Sequence, residues 1–215
     1  MRIAILGGTG DLGLGLAVRF CASGQDVVIG SRDPQRGSTI AARLGLRNAT
    51  GTGNSEAARA ADLAVLTIPS EGHAEFVRAV ASPLADKIVV DATVSMGTKR
   101  TFVPPAAGSA AAETQALVPR ARVIAAFHTL SAHLLVDPAR PLDQDVLVCG
   151  DDSAGKGVIL DLVSVIGARG VDAGGLDAAA TLEALAVLLI NLNIRYRRRD
   201  LGVRIAHLPA DARPR

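Results

Sequence analysis

A glycine motif close to the amino terminus constrains the fold of this chain more than any other feature. Gly8, Gly10 and Gly13 follow an apolar run at Arg2–Leu6 and open a segment of helical periodicity at Leu12–Ser23. In a strand–turn–helix unit, the first glycine allows the tight turn, the second leaves room for a phosphate against the backbone, and the third lets helix and strand pack closely. The N–H groups at the helix start favour an anion. The motif therefore predicts a pyrophosphate-binding turn of the dinucleotide type, with a purely structural turn as the alternative.

The end of the second predicted strand, Asp26–Gly30, indicates which dinucleotide fits. A site for NAD places an acidic residue here, where it accepts a hydrogen bond from the ribose 2′-hydroxyl. This chain instead has Ser31 and Arg32, with Arg36 one helical turn further on. Because a guanidinium forms forked, charge-assisted hydrogen bonds with phosphate oxygens, these residues predict a site for the 2′-phosphate of NADP(H). The alternative is that Ser31 caps the next helix and Arg32 is only solvated.

Strand-like and helix-like segments alternate along most of the chain, which is typical of an α/β fold of the Rossmann type with a doubly wound, mostly parallel sheet. We predict an NADP-binding Rossmann domain over residues 1–143 and a small C-terminal α/β lobe over residues 144–215. The loop Thr93–Gly108 is long for a compact domain, and such loops are usually functional or mobile. Strands are predicted at Arg2–Leu6, Asp26–Gly30, Leu46–Thr50, Leu63–Ile68, Lys87–Ala92, Arg122–Phe127, Asp145–Cys149 and Arg169–Asp172.

The composition argues against several classes of function. With 49% apolar and 20% charged residues, the 215-residue chain is globular, and its net charge of +2 offers no general field for nucleic acid. It has four Phe, one Tyr and no Trp, so stacking platforms for bases are scarce. No His or Cys pair has metal-ligand spacing, and we predict no metal. No secretory signal is evident, and the apolar run Ala184–Ile190 is much shorter than the ~20 residues of a membrane span. We therefore expect a cytoplasmic protein without a nucleic-acid or membrane partner.

The second substrate is expected at the carboxyl ends of the strands, where ligands of open α/β sheets bind. Three strand ends carry polar or special residues after apolar runs, at Ile68–Ser70, Asp91–Ser95 and Phe127–Thr129. They should converge over the nicotinamide. His128 is the candidate catalytic residue, in an orienting role, and the alternative is a hydrogen-bonded structural histidine. We assign no role to the other three histidines.

Four arginines lie within five residues at the end of the last predicted helix. They are Arg195, Arg197, Arg198 and Arg199. Cations at a helix end complement the helix dipole, so a solvated helix terminus would explain them. The alternative is an electrostatic site for the acidic tail of a substrate. The preceding run Ala184–Ile190 is apolar nearly all round, which favours burial, either in the core or across a subunit interface.

Motifs spread over almost the whole chain resemble one known family. They include the glycine motif within Met1–Gly13, the strand end Val28–Arg32 and the segment Ala64–Pro69. They continue through Ser109–Ala111, Ala125–Thr129, Asp145–Asp152, Val171–Gly174 and Leu182–Leu185. In this order the motifs are similar to those of the NADPH-dependent reductases of the deazaflavin coenzyme F420, the F420H2:NADP oxidoreductases.

The resemblance implies a Rossmann domain with a small C-terminal lobe, a homodimer, and reversible hydride transfer between NADP(H) and coenzyme F420. It implies that the glycine motif binds the pyrophosphate, the Ser31–Arg32 pair and Arg36 bind the 2′-phosphate, and His128 faces the deazaflavin. The anionic phosphate and glutamyl tail of that coenzyme would give the arginine cluster a ligand. The predicted cofactor-binding residues are Gly8, Thr9, Gly10, Asp11, Leu12, Gly13, Ser31, Arg32, Arg36, Ile68, Pro69, Ser70, Ala74 and Ala132.

Other functions are compatible with the same cofactor site. One is an NADP-dependent reductase that acts on a different acceptor, such as an imine, a ketone, a flavin or a metal chelate. Another is a non-catalytic protein that binds NADP(H) as a sensor. The identity of the acceptor distinguishes the first alternative from the function that the resemblance implies. Binding of NADP(H) without turnover of any acceptor would distinguish the second.

Overall fold

Eight short strands, most of them apolar, form a single sheet in the computed structural model, which describes residues 1–209. All eight predicted strands are present, and their ends differ from the prediction by a few residues. The third strand begins at Ala49 rather than at Leu46. The strands are β1 (Arg2–Leu6), β2 (Asp26–Ser31), β3 (Ala49–Gly53), β4 (Leu63–Leu66), β5 (Ile88–Asp91), β6 (Arg122–Ala125), β7 (Asp145–Gly150) and β8 (Arg169–Asp172).

The order of the strands in the sheet is β3-β2-β1-β4-β5-β6-β7-β8. Strands β1 to β6 are parallel, β7 runs antiparallel to β6, and β8 is parallel to β7. The winding reverses between β1 and β4, and such a switch point leaves a crevice at the carboxyl ends of the strands. The predicted Rossmann-type, mostly parallel α/β fold is confirmed.

Helices cover both faces of the sheet and connect the parallel strands. Asp33 caps the second helix by accepting a hydrogen bond from the N–H of Gln35 at 2.9 Å. The final helix follows a short 3-10 turn at Leu176–Ala178. The helices are α1 (Asp11–Ala22), α2 (Pro34–Leu44), α3 (Asn54–Ala60), α4 (His73–Leu84), α5 (Ala110–Leu117), α6 (Ala132–Leu135), α7 (Ser153–Val165) and α8 (Ala179–Arg195).

Two apolar layers enclose the sheet, which is why its strands are almost continuously hydrophobic. On one face, Phe20 of α1 and Ile159 of α7 pack with the strands. On the other face, Val77 of α4, Ala111 of α5 and Leu182 of α8 form a second cluster. The sheet is thus held from both sides, and its carboxyl edge is left for ligands.

The sheet continues through the position where the sequence suggested a domain boundary, between residues 143 and 144. β7 pairs with β6 through Ile124↔Gly150 and Ala125↔Cys149, and α7 and β8 extend the same layer. The division into two domains stays a prediction. Residues 210–215 of the expected C-terminal lobe lie outside the described residues.

Helix α6 was not predicted from the sequence, and it depends on a distant arginine. Arg19 of α1 is 4% exposed, and its guanidinium donates to the carbonyl oxygens of Leu134 at 2.8 Å, Asp137 at 2.6 Å and Arg140 at 2.7 Å. These carbonyls belong to the end of α6 and the turn that follows it. The buried cation therefore fixes α6 against α1, the helix that follows the glycine motif.

The stretch Leu176–Arg195 is long and apolar enough to cross a membrane, judged by length and composition alone. It has 20 residues and a mean hydropathy of 1.5, and 33% of its apolar window is buried within the protein. The sequence analysis considered only the uninterrupted run Ala184–Ile190, whereas the apolar character extends further along the helix. One side of α8 packs inward, and Leu188 and Ile194 on the helix are each about half exposed.

Candidate functional site

A cleft of about 1070 Å³ opens at the carboxyl ends of β1, β2 and β4. Most of the predicted cofactor-binding residues lie along its wall, which is the placement expected at the switch point of such a sheet. Three of them, Gly8, Ala74 and Ala132, do not line the cleft. The predicted residues that line the cleft are Thr9, Gly10, Asp11, Leu12, Gly13, Ser31, Arg32, Arg36, Ile68, Pro69 and Ser70.

Close backbone contacts explain the first and third glycines of the motif. A Cβ atom on Gly13 would lie 2.6 Å from the Cα atom of Gly8, and a Cβ atom on Gly8 would lie 2.6 Å from the carbonyl oxygen of Ile5. Neither distance is compatible with a side chain. Helix α1 can therefore begin directly against β1 only because both positions are glycine.

The middle glycine faces open space instead. Gly10 precedes α1 with φ −89°, and no atom lies within 4 Å of the place that its Cβ atom would occupy. No side chain caps the start of α1, so its first N–H groups are free to bind an anion in the cleft. The turn thus fits a pyrophosphate, because the backbone is accessible where the phosphates would lie.

Asn54 holds the turn in place, and the sequence analysis did not identify it. Its side-chain oxygen accepts a hydrogen bond from the N–H of Gly7 at 3.0 Å, and Gly8 donates to the carbonyl of Gly30 at 3.0 Å. Gly7 adopts a left-handed φ of 69°, which favours glycine. The start of α3 and the end of β2 therefore shape the turn together with β1.

The basic pair at the end of β2 faces the same cleft. Ser31 is buried, and Arg32 and Arg36 are exposed. Within residues 1–209, neither guanidinium has a hydrogen bond or an ion pair. Because the carboxylate of Asp33 caps α2, the alternative role of Ser31 as the helix cap is wrong. The Ser31 hydroxyl oxygen accepts a hydrogen bond from the N–H of Asp33 at 3.3 Å, and its O–H group and the two guanidinium groups remain available to donate to an anionic ligand.

His128 stands at the carboxyl end of β6 on a strained backbone. The preceding Phe127 has φ 69°, which is a rare conformation for a bulky residue, and its ring packs edge-on against Phe20 with centroids 6.2 Å apart. Both ring nitrogens of His128 are buried, and among the described residues neither makes a well-formed hydrogen bond, although the backbone of Thr93 lies close enough to act on the ring. The hydroxyl of Thr93, on the neighbouring strand end, is buried and unpartnered as well.

Burial lowers the pKa of His128 to about 4, although the charge of Asp91 and the backbone of Thr93 act in the opposite direction. The imidazole is therefore neutral near neutral pH, with one nitrogen able to donate and the other to accept. Unpartnered buried polar groups are rare in folded proteins and are normally satisfied by a ligand or water. Neither residue lines the cleft, so the strand end Phe127–Thr129 does not join Ile68–Ser70 on its wall. The buried polar atoms of His128 and Thr93 would be satisfied by a water or a polar ligand group at the carboxyl ends of β5 and β6.

A second histidine, to which the sequence analysis assigned no role, lies at the centre of a buried ionic network. His73 is 3% exposed at the start of α4. Its Nε2 atom lies 3.0 Å from the carboxylate of Asp91, and its Nδ1 atom lies 2.7 Å from that of Glu113. With a carboxylate at each nitrogen, the ring donates twice and is held as an imidazolium.

The pKa values agree with this arrangement. Burial alone would lower the pKa of His73, but the hydrogen bonds and charges of Asp91 and Glu113 outweigh it and the pKa is raised. Burial alone would raise the pKa of Asp91, but His73, the hydroxyl of Thr114 and the N–H of Thr93 hold it below its ordinary value. The network joins α4, α5 and the end of β5, and so it fixes the cleft-lining segment that leads into α4.

Glu183 anchors both ends of the long loop. It is completely buried in α8 and accepts hydrogen bonds from the N–H groups of Ser95 at 3.2 Å and Ala110 at 2.7 Å. Burial and the charge of Asp91 raise the pKa of Glu183, and these hydrogen bonds only partly oppose them. Helix α8 thereby ties down the start of the loop and the start of α5.

No group of three or more His, Cys, Asp or Glu side chains among residues 1–209 is arranged to hold a metal ion. Cys21 and Cys149 are free and buried, and burial raises the pKa of their thiols to about 11 and about 12.

The switch-point cleft, the glycine turn and the basic pair define a protein of the Rossmann dinucleotide-binding class. Residues 2–95 match the family model described as NADP oxidoreductase coenzyme F420-dependent. The F420-dependent NADP reductase of Methanothermobacter thermautotrophicus is 38% identical over 226 residues, covering 97% of this chain and 96% of the relative. That of Methanocaldococcus jannaschii is 36% identical over 223 residues, covering 97% and 99%.

A solved structure agrees with these relatives. The crystal structure of a putative F420-dependent NADP reductase from Arthrobacter sp. FB24 superposes with a TM-score of 0.84 at 28% identity, covering 96% of this chain and 100% of the other. The chain belongs to the coenzyme F420-dependent NADP oxidoreductase family.

The His73 network makes stability depend on pH in a defined direction. Because the pKa of His73 is raised above 6.5, its contribution is complete below that value and is lost as the pH rises through the raised pKa. We expect His73→Gln to lower the free energy of unfolding by about 3 kcal/mol at about pH 6, and by clearly less once the pH has passed the raised pKa of His73. Denaturant unfolding over a pH series measures both values.

His207→Gln is the matched control, because His207 is exposed. It should leave the free energy of unfolding unchanged at both pH values. An equal loss for His73→Gln at both pH values would contradict the imidazolium assignment.

Proposed function

We propose that this protein transfers hydride reversibly between NADP(H) and the deazaflavin coenzyme F420. The observation that carries the proposal is the similarity to F420-dependent NADP reductases over 97% of the chain, together with a cleft whose walls suit NADP(H). The assignment of coenzyme F420 rests on the activity of the relatives, whereas the assignment of NADP(H) rests both on the relatives and on the residues that line the cleft. The reduced ring of one coenzyme supplies the hydride to the other when the two lie face to face.

The chain's own residues act by binding, orienting and excluding water. The free N–H groups around Gly10 bind the pyrophosphate, and Ser31 with the guanidinium groups of Arg32 and Arg36 binds the 2′-phosphate. Ile68, Pro69 and Ser70 form the wall of the nicotinamide half, and the resemblance to the family adds Ala74 and Ala132, which do not line the cleft in the free protein. Holding two rings in contact supplies most of what such a reaction requires.

His128 orients the second coenzyme. Its imidazole is neutral near neutral pH, and its ring nitrogens are shielded from solvent. The strained backbone at Phe127 sets the direction in which the ring points. A neutral ring in this position donates a hydrogen bond to a carbonyl of the deazaflavin without adding a charge next to the nicotinamide. Thr93 supplies a hydroxyl at the same place.

Purified protein with NADPH and oxidised coenzyme F420 tests the proposed reaction. We expect the visible absorbance of the oxidised deazaflavin to fall with time and to return when NADP+ is added in excess. NADH should be a poor donor, because it lacks the 2′-phosphate. Absence of any absorbance change with excess NADPH would refute this function, and turnover of an imine, ketone, flavin or metal chelate would then identify a different acceptor.

The choice of nucleotide is tested by Arg32→Asp. The substitution removes a guanidinium and places a carboxylate where it repels the 2′-phosphate and can accept from a 2′-hydroxyl. We expect KM for NADPH to rise about a hundredfold, with a much smaller change for NADH. Arg43→Asp makes the same change on an exposed position of α2 outside the cleft and should leave both values unchanged. An unaltered preference in Arg32→Asp would show that the 2′-phosphate binds elsewhere.

We further propose that the protein acts in the cytoplasm as a homodimer that buries the apolar side of α8. Leu188 is 52% exposed in the single chain, and Leu185 and Leu192, which lie on the same side of α8, are only half-buried. Light scattering should give twice the 22.0 kDa of one chain, and Leu188→Glu should give the mass of one chain. A single-chain mass for the unaltered protein would contradict the dimer.

A further inference from the structure

The arginine cluster at the end of α8 is held against the segment that follows His128. We call residues 195–199 the arginine turn. The Ser131 hydroxyl donates to the carbonyl oxygen of Arg199 at 2.6 Å, and the side-chain amide of Gln144 donates to that of Asp200 at 2.6 Å. The Gln144 side-chain oxygen also accepts from the N–H of Ser131 at 3.1 Å. Ser131 follows His128 by three residues, so the turn is fastened to the segment that carries the proposed substrate-facing histidine.

The charge of the turn is largely uncompensated. Asp200 pairs with Arg198 at 2.8 Å and with Arg140 at 3.6 Å. In the part of the chain that the structure describes, the guanidinium groups of Arg195, Arg197 and Arg199 have neither an ion pair nor a hydrogen bond. Three exposed guanidinium groups within five residues therefore remain free to bind an anion.

The backbone conformation of the turn indicates that the side chain of Arg197 has a role, because this residue occupies a position that strains any residue other than glycine. Arg197 has φ 53° directly after the helix end at Tyr196, and its N–H donates to the carbonyl of Ile194 at 3.2 Å. This is the position where a helix usually ends on glycine, because other residues are strained there. The helix dipole accounts for Arg195 in the last turn, but not for a strained arginine beyond the helix end.

We propose that the arginine turn binds the anionic tail of the deazaflavin coenzyme, which carries a phosphate and glutamyl carboxylates. This inference rests on the proposed function, because it takes the deazaflavin ring to lie beside His128. A tail that extends from the ring along Ser131 reaches the arginine turn, because Ser131 is hydrogen-bonded to that turn. Guanidinium groups suit both of its anions, since they form forked hydrogen bonds with phosphate and with carboxylate oxygens.

Steady-state kinetics and equilibrium binding with two deazaflavins test the proposal. One is the complete coenzyme, and the other has the same ring and ribityl chain but neither phosphate nor glutamate. The test variant is Arg195→Gln/Arg197→Gly/Arg199→Gln, in which glycine relieves the strained position and the fold is kept. The control variant is Arg2→Gln/Arg47→Gln/Arg59→Gln, which removes the same charge from exposed positions at the amino ends of the strands.

We expect the test variant to raise KM and Kd for the complete coenzyme about tenfold or more and to leave those for the tail-less deazaflavin and kcat unchanged. Its Kd for the complete coenzyme should also lose the salt dependence that the unaltered protein and the control show. Unchanged Kd for the complete coenzyme, or an equal rise for both deazaflavins, would overturn the proposal. Absence of turnover in the unaltered protein would refute the proposed function alone, since the two Kd values decide on the arginine turn separately.

Discussion

The buried carboxylate of Asp91 holds together the elements on which the candidate site depends. It ends β5 with no exposed surface, and a charge in such a place costs several kcal/mol unless it is paired and hydrogen-bonded. His73, Thr114 and the N–H of Thr93 satisfy it, and they belong to α4, to α5 and to the start of the long loop. The charge of Asp91 therefore fixes two parts of the site. One is the cleft-lining segment that precedes α4, and the other is the end of β5, which faces His128.

Most of the fold could be predicted from the sequence, because strands that are buried on both faces are nearly continuous apolar runs. The third strand was misplaced by three residues because its sequence, Ala49–Gly53, consists of Ala, Thr and Gly and has little apolar signal. Helix α6 was missed because four residues show no periodicity. Its position is set by Arg19, whose partner Leu134 is 115 residues away along the chain.

The parts of the site that are local in sequence were the predictable ones. The glycine turn and the pair Ser31–Arg32 could be identified because their chemistry depends on the order of neighbouring residues. Asn54 and Glu183 could not, since their partners Gly7 and Ser95 lie 47 and 88 residues away and a buried polar group has no sequence signature of its own. His128 was expected near the substrate, whereas its unpartnered nitrogens became evident only in three dimensions.

The strand order bears on how the chain can assemble while it is being synthesised. From β1 outward, β4, β5 and β6 lie in the sheet in the order in which they leave the ribosome, so each new strand can pair with an edge that already exists. β7 then closes the edge of β6 from the opposite direction, and β8 becomes the new outer strand. Because α8 follows all eight strands, its inward-facing side emerges from the ribosome after the strands and helices against which it packs.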